Sequence, residues 1–108
     1  GNSVVIDFPI FMSGEIDGTV YLSKNGSSFG VGNVEVQLVD KYDRVLQTVE
    51  TAYDGFYIIS KIPFGEYRLR VSGQQLEKLN IKPVSDELLK INSEDPFQSG
   101  FDFTLVAD

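Results

Sequence analysis

The stretch TAYDGFYIISKIPFGEY, residues 51–67, specifies more of the fold than any other part of the chain. Its first half contains Asp54 and Gly55, a pair that favours a tight turn because Gly accepts positive φ freely and Asp tolerates it. In its second half, Pro63 presets φ for another turn and Gly65 relaxes it. Apolar and aromatic residues fill the interval between the turns. The stretch therefore predicts three strands and two turns, and we expect the first turn to close a hairpin.

Outward from this stretch, apolar and polar residues alternate with the period of two that a strand shows when one face is buried. The predicted strands cover residues 15–22, 34–38, 45–51, 56–60, 67–71, 87–91 and 101–105. Residues 23–33 are rich in Gly, Ser and Asn and are long for a hairpin, so we expect a loop that crosses between sheets. At most one short helical turn is predicted, near residues 73–80. Strands separated by turns at this spacing predict an all-β sandwich.

The length of 108 residues fits a single domain. We expect this domain to cover residues 14–106, preceded by a linker or edge strand over residues 1–13 and followed by a short tail at residues 107–108. Because the chain starts Gly-Asn-Ser with no Met, it is also expected to be a piece of a longer polypeptide.

Composition excludes several classes of function. The sequence has no His and no Cys, so Ser-His and Cys-His pairs, disulfides and Cys-based zinc sites are ruled out. A formal charge of -7 disfavours nucleic acid and anionic membranes as partners. No apolar run approaches the roughly 20 residues that a spanning helix needs, which predicts no direct membrane insertion. We therefore expect a module that is not an enzyme.

Four segments in order resemble the carboxypeptidase regulatory-like and Cna B-type domains: residues 18–20 (GTV), 32–38 (GNVEVQL), 51–57 (TAYDGFY) and 62–67 (IPFGEY). This resemblance implies a Greek-key, transthyretin-like (prealbumin-like) sandwich of seven or eight antiparallel strands. Members of the group serve as stalks of surface adhesins, as non-catalytic neighbours of enzymes and as parts of outer-membrane machinery. The resemblance thus implies a structural or interaction module in an extracytoplasmic protein, either periplasmic or at the cell surface.

The tail is similar to carboxyl-terminal domains of bacterial outer-membrane assembly proteins of the usher type, through residues 72–79 (SGQQLEKL) and 101–105 (FDFTL). This similarity implies a role in assembling surface fibres. The partners expected from both resemblances are other domains of the same polypeptide or a separate protein.

Two chemistries known in related domains are not expected here. The loop that corresponds to their calcium site, residues 23–28, carries a Lys and no carboxylate, although calcium takes several carboxylate oxygens. The intramolecular isopeptide of pilin-like relatives needs a first-strand Lys, where this chain has Thr19, Val20 and Tyr21. Arg70 stands where the assisting acid would be, and the last strand offers Asp102 but no Asn. We therefore predict no cofactor and no metal.

Aromatic residues that alternation leaves outside the core are the candidates for an interaction surface, and exposed together they would also suit sugar stacking. The candidates are Tyr21, Phe29, Tyr42, Tyr53 and Phe64, with Phe56 also left unassigned. Carbohydrate binding is the alternative function, although the chain has no Trp. Exposed edge strands are a further route to a partner, through main-chain hydrogen bonds.

Charged residues are interpreted as surface or turn residues. Asp54 could serve as a catalytic acid or metal ligand, but its position before Gly favours turn geometry. Glu15 with Asp17, and Asp40 with Asp43, could hold a cation or act as an acid and a base, but their spacing favours a solvated surface. Arg68 and Arg70 could bind a carboxylate, and the preferred interpretation is cross-strand pairing with acidic residues.

Overall fold

The computed structural model describes residues 13–78, 84–85 and 88–107. Ten strands and one short helix form within these residues. They are β1 (Ser13–Lys24), β2 (Ser27–Gly30), β3 (Glu35–Asp40), β4 (Val45–Glu50), β5 (Phe56–Pro63), β6 (Gly65–Ser72), α1 (Gln74–Lys78), β7 (Val84–Ser85), β8 (Leu89–Ile91), β9 (Phe97–Gln98) and β10 (Phe103–Ala107).

The first sheet is built around β1, whose twelve residues pair with four other strands. β5 and β2 run antiparallel to β1, with Gly18 opposite Tyr57 and Tyr21 opposite Gly30. β9 and β10 run parallel to β1, the former beside its first half and the latter beside its second half. β1 is therefore the central strand of this sheet, with antiparallel neighbours along one side and parallel neighbours along the other.

The second sheet has the order β4-β3-β6, and β6 pairs on its far side with the short strands β7 and β8. All of these pairs are antiparallel. β4 is thus an edge strand. The two sheets pack face to face, and the prediction of an all-β, transthyretin-like sandwich is confirmed.

The core lies between the sheets and is formed by the alternate residues of each strand that point inward. β1 shows this most clearly, since Ile16, Gly18, Val20 and Leu22 are buried while the residues between them are partly exposed. The buried cluster comprises Ile16, Val20, Leu22, Val34, Val36, Leu38, Tyr57, Ile59, Ile62, Tyr67, Leu69, Val71, Leu76, Leu89, Ile91, Phe103 and Leu105. The period-two patterns of β1, β3 and β6 predicted their inward residues correctly, whereas Ile59 and Ile62 were assigned to no face and Leu76 lies in α1.

The prediction of an irregular loop over residues 23–33 is wrong in its first part. β1 turns back at Asn25 and Gly26, which have φ of 54° and 84°, and continues as β2. Two successive residues with positive φ match the twist of a tight hairpin, and Asn-Gly is the pair that adopts them most readily. Only the residues after β2 cross to the second sheet, where β3 begins.

The turn at Asp54 and Gly55 forms as predicted but does not close a hairpin. β4 belongs to the second sheet and β5 to the first, so the turn carries the chain between sheets. Gly55 has φ of 90°, its amide donates to the carbonyl of Ala52, and the Asp54 carboxylate accepts the amide of Phe56. The local chemistry was therefore predicted correctly, whereas the pairing of the flanking strands was not.

The second predicted turn also carries the chain between sheets. Pro63 is the last residue of β5 and Gly65 the first of β6, which leaves Phe64 as a single bend between them. The hydroxyl of Tyr67 donates to the carbonyl of Pro63 and holds this bend closed.

Later in the chain, α1 falls within the predicted helical turn, and Leu89 and Ile91 of β8 are buried. The segment between the predicted strands at residues 87–91 and 101–105 contains β9, which the sequence did not predict. The expected edge strand before residue 13 and the predicted strand start at residue 87 lie outside the described residues.

Candidate interaction surface

The predicted aromatic residues do not form one surface. Tyr21, Phe29 and Tyr53 lie around β2: Tyr21 is opposite Gly30, Phe29 is opposite Leu22, and Tyr53 belongs to the turn that approaches Gly30. Tyr42 and Phe64 belong to the opposite end of the sandwich, where Asp40 pairs with Tyr67 near the start of β6. Phe64 is partly buried against the core and is not freely available to a partner.

Tyr42 projects from the turn between β3 and β4 and is 67% exposed. The Lys41 ammonium lies 5.4 Å and the Arg44 guanidinium 5.1 Å from its ring centroid, so both cations contact the aromatic ring. With Leu46 and Tyr67, these residues line a shallow groove of about 510 Å³.

The carboxylate of Asp40 organises this turn. Its Oδ1 accepts the amides of Tyr42 and Arg44 at 2.9 Å, and its Oδ2 accepts Arg44 Nε at 2.8 Å. Desolvation works to raise the pKa of Asp40, but these hydrogen bonds and the charge of Arg44 outweigh it, and the pKa lies below its ordinary value of 3.8. Desolvation and the charge of Asp40 raise the pKa of Tyr67, which stays protonated and able to donate to Pro63.

Tyr42 and Tyr53 are the most exposed rings among the five candidates, but they lie on separate turns. Tyr53 is 91% exposed. A sugar-stacking platform built from both rings would need them on one face. Carbohydrate binding therefore stays a prediction without a defined platform.

A more continuous surface lies on the outer face of the first sheet. It consists of Tyr21, Phe56, Ile58, Phe97 and Val106, and we call it the β1 outer face. The strand register places four of them in rows on either side of β1. On the β5 side, Phe56 is opposite Thr19 and Ile58 is opposite Asp17. On the other side, Phe97 of β9 is opposite Glu15 and Val106 of β10 is opposite Ser23. Phe97 and Val106 are 68% and 67% exposed, and Phe56 and Ile58 are each close to half exposed. Several exposed apolar side chains on one sheet face are typical of an interaction surface.

Sequence reasoning missed Ile58, Phe97 and Val106. One signal was available in β5, where Phe56 and Ile58 alternate with the buried Tyr57 and Ile59, so that apolar residues occupy both faces of the strand. Val106 gave a similar signal, because it follows the inward Leu105 in β10. Phe97 gave none, because its position depends on parallel pairing with a strand about 80 residues earlier.

Acidic groups lie among the apolar side chains of this face, since Glu15 is directly opposite Phe97 and Asp17 directly opposite Ile58. Glu15 and Asp17 point outward from β1, and Asp102 lies beside them with Oδ1 accepting the amide of Thr19 at 2.8 Å. In residues 13–78, 84–85 and 88–107, none of these three carboxylates forms an ion pair. Lys61 is the cation of β5 closest to Glu15 in the strand pairing, since it lies where the register of β5 shifts between Gly14 and Ile16.

The second sheet and its adjoining turn have a different electrostatic character. Three of their acidic groups are paired with cations: Arg44 with Asp40 at 2.8 Å, Arg70 with Asp43 at 2.7 Å, and Lys90 with Glu66 at 3.7 Å. Glu35 and Glu50 face each other across β3 and β4 without a cationic partner in the described residues. Arg70 thus pairs with an acidic residue, but that residue lies in a turn, so the predicted pairing with an acidic residue of the opposite strand does not form. None of the three carboxylates of the β1 outer face has a cationic partner in the same residues.

The free edge of β5 is partly closed to strand addition. The Phe56 carbonyl accepts the amide of Ala52, the Phe56 amide donates to Asp54, and the Ser60 carbonyl accepts Gln47 Nε2 at 2.9 Å. Capping of this kind protects an edge from pairing with another strand. Contact on this side of the molecule is therefore expected to involve the face rather than the edge.

Metal and membrane features can be stated for the described part of the chain. Within it, no three His, Cys, Asp or Glu side chains come close enough together to hold a metal ion. No helix in this part of the chain is long and apolar enough to cross a bilayer.

The fold and surface define a transthyretin-like β-sandwich domain that carries an apolar and acidic outer face. Residues 11–93 match the family model described as BOS complex subunit NOMO1-like, second beta sandwich domain. The chain belongs to this family. No curated protein sequence matches it.

Solved structures of similar fold include two bacterial pilins. GBS52, the minor pilin of Streptococcus agalactiae, aligns with a TM-score of 0.62 and 13% identity over 91% of this chain and 46% of the pilin. BcpA, the major pilin subunit of Bacillus cereus, aligns with a TM-score of 0.64 and 15% identity over 90% of this chain and 31% of the pilin. The chain thus spans less than half the length of either pilin.

An enzyme shares the fold as well. The 5-hydroxyisourate hydrolase of Klebsiella pneumoniae aligns with a TM-score of 0.59 and 13% identity over 90% of each chain. At these identities the likenesses show the fold alone, and one fold serves both structural and catalytic proteins. The Cna B-type and transthyretin-like resemblance is supported, whereas neither the family match nor these three structures supports the usher-type resemblance.

Proposed function

We propose that this chain is a non-catalytic module of a larger protein, in which it spaces, braces and docks neighbouring domains. The family match over residues 11–93 carries the proposal, since the family is described as the second beta sandwich domain of a complex subunit. A second sandwich in a series has neighbours on the same polypeptide, and neighbouring domains pack through moderate, partly polar interfaces. The β1 outer face has the composition of such an interface.

Two further observations support a non-catalytic role. The sequence has no His and no Cys, which removes the most common general base near neutral pH and the most common nucleophile pairings. The hydrogen bonds of Asp54 and Asp40 serve their own turns. Both carboxylates are thus engaged by the fold.

The setting that goes with this role is extracytoplasmic. We propose a cell-surface or secretory-pathway protein, and the pilins of the same fold give this setting its support. A periplasmic outer-membrane protein engaged in surface-fibre assembly, as the usher-type resemblance implies, is the narrower form of the proposal.

Deletion tests the role directly. In the full-length polypeptide, residues 14–106 are removed in one variant and replaced by a flexible linker of equal length in another. Complex assembly is then measured by size-exclusion chromatography, and export by cell fractionation. We expect both variants to assemble poorly, because a flexible linker restores chain length but neither rigid spacing nor docking. Full assembly and export of the deletion variant would contradict the proposal.

A further inference from the structure

We propose that the β1 outer face docks a neighbouring domain of the same polypeptide, through a partner surface that combines apolar side chains with Lys or Arg. This inference rests on the proposed function and deepens it, because it names the surface and the chemistry of the partner. Three properties of the described residues carry it: the extent of the face, its carboxylates without cationic partners and the partly capped edge of β5 beside it.

The extent of the face suits an inter-domain contact. Its rows run from Phe97, opposite Glu15, to Val106, opposite Ser23. At the usual rise of a strand this distance is about 26 Å, and three strands are about 14 Å wide. The sheet area is therefore roughly 360 Å², within the range of about 300–750 Å² per partner for inter-domain interfaces of 600–1,500 Å² in total.

The charges of the face select the partner. Glu15, Asp17 and Asp102 form no ion pair in the described part of the chain, while three ion pairs serve the second sheet and its turn. Burial of an unpaired carboxylate is costly, so a partner that covers this face must supply cations. Lys or Arg opposite these carboxylates meets this need, and long apolar stems of these side chains also cover the neighbouring Phe and Ile side chains.

The apolar side chains supply the anchors of the contact, on either side of the β1 row. Phe56, Ile58, Phe97 and Val106 are exposed, and aromatic anchors surrounded by polar groups are where binding energy concentrates in interfaces. Because β5 is capped by Ala52, Asp54 and Gln47, the partner contacts side chains of the face instead of extending the sheet.

Site-specific photo-cross-linking in the intact polypeptide tests the inference. p-Benzoylphenylalanine is placed at Phe97 on the β1 outer face or at Thr48, an exposed residue of β4 in the second sheet. We expect the Phe97 probe to cross-link within the same polypeptide, to a segment of another domain that carries Lys or Arg. The Thr48 probe should give at most a tenth of that yield, because the proposed contact lies on the other sheet.

Charge reversal separates electrostatic recognition from simple proximity. Glu15→Lys with Asp17→Lys should lower the Phe97 cross-link yield roughly tenfold, because like charges then meet across the contact. Glu35→Lys with Glu50→Lys makes the same charge change on the second sheet and should leave the yield unchanged. Thermal melts check the folding of each variant, and the milder pair Glu15→Gln with Asp17→Asn should lower the yield in the same direction even where the double lysine variant melts early.

Several outcomes would overturn the inference. Cross-links from Phe97 to a second copy, to another subunit or to lipid would each contradict it, as would equal yields from Phe97 and Thr48. An equal response to the two charge reversals would remove its electrostatic part. If deletion of residues 14–106 impairs assembly while Phe97 gives no cross-link, the module role stands and the assigned face is wrong.

Discussion

The hydroxyl of Tyr57 on β5 donates a hydrogen bond of 2.5 Å to the carbonyl oxygen of Phe101, which precedes β10. β5 and β10 lie on opposite sides of β1, so this bond ties the two flanks of the first sheet together across its central strand. The Tyr57 ring is almost fully buried, and the Phe101 amide in turn donates to the carbonyl of Asp17. The side chain thus links the core to the sheet that carries the β1 outer face.

Tyr57→Phe should lower the free energy of unfolding by about 1–2 kcal/mol, because it removes a partly buried hydrogen bond and leaves the Phe101 carbonyl without this donor. Chemical denaturation followed by far-UV circular dichroism measures the change. Tyr53→Phe makes the same chemical change at a ring that is 91% exposed, and it should have no measurable effect. Equal stability of the two variants would show that the bond contributes nothing.

Gly55→Ala should destabilise the domain more than Gly26→Ala. Both glycines have positive φ, at 90° and 84°, so Ala costs about 1–2 kcal/mol at either position from backbone conformation alone. An added Cβ at Gly55 would lie 2.4 Å from the carbonyl oxygen of Val20, whereas Gly26 has open space around it. Steric crowding should add about 1–3 kcal/mol at Gly55. The urea concentrations at which the two variants are half unfolded compare their stabilities. Similar midpoints would contradict the steric role assigned to Gly55 in the turn between the sheets.

Much of the fold could be predicted from the sequence, and the failures share a physical cause. Inward positions such as Ile16, Val36 and Leu69 were predictable because burial on one side of a strand imposes a period of two. The pairing of the strands was harder to predict, because the turn at Asp54 has the same local chemistry whether the chain stays in one sheet or passes to the other. The parallel strands beside β1 depend on contacts about 80 residues apart, which leave no local pattern.

The same limit applies to the candidate surface. Tyr21 was identified because the alternation of β1 leaves it outside the core, and it does lie on the outer face. Tyr42 and Phe64 were identified by the same rule, but they lie at the other end of the sandwich. Ile58 was overlooked because an aliphatic residue in a strand is usually assigned to the core. The surface predictions themselves remain to be tested.

Asp40→Asn should lower the free energy of unfolding at neutral pH. The difference in this free energy between the variant and the wild type should shrink in acid. The pKa of Asp40 in the folded domain is below 3.8, so its ionised form contributes stability above that pH. This contribution is lost as the pH falls through the folded-state pKa. Unfolding free energies measured at a series of pH values from neutral to below 3.8 test the prediction. A difference that is constant with pH would contradict it, and Glu94→Gln controls for the loss of one negative charge from an exposed position.

Glu50→Lys should stabilise the domain by about 0.2–1 kcal/mol. Glu50 on β4 is directly opposite Glu35 on β3, and like charges in this position repel each other. Lysine at this position replaces the repulsion with an attractive pair, and the gain should decrease at high salt. Glu94→Lys changes the net charge equally at an exposed loop position without a cross-strand partner. Thermal melts at low and high salt compare the stabilities of the two variants. Equal stabilisation by Glu50→Lys and Glu94→Lys would show that net charge, and not the cross-strand pair, causes the effect.

The central claim is that the β1 outer face is covered in the intact protein. Oxidative footprinting with mass spectrometry measures the modification rate of Phe97, which is 68% exposed in this domain, both in the 108-residue chain alone and in the assembled protein. Tyr53, which is 91% exposed and lies outside the face, provides the internal reference. We predict that assembly protects Phe97 severalfold while Tyr53 is modified at a similar rate in both. Equal modification of Phe97 in the isolated chain and in the assembled protein would contradict the claim.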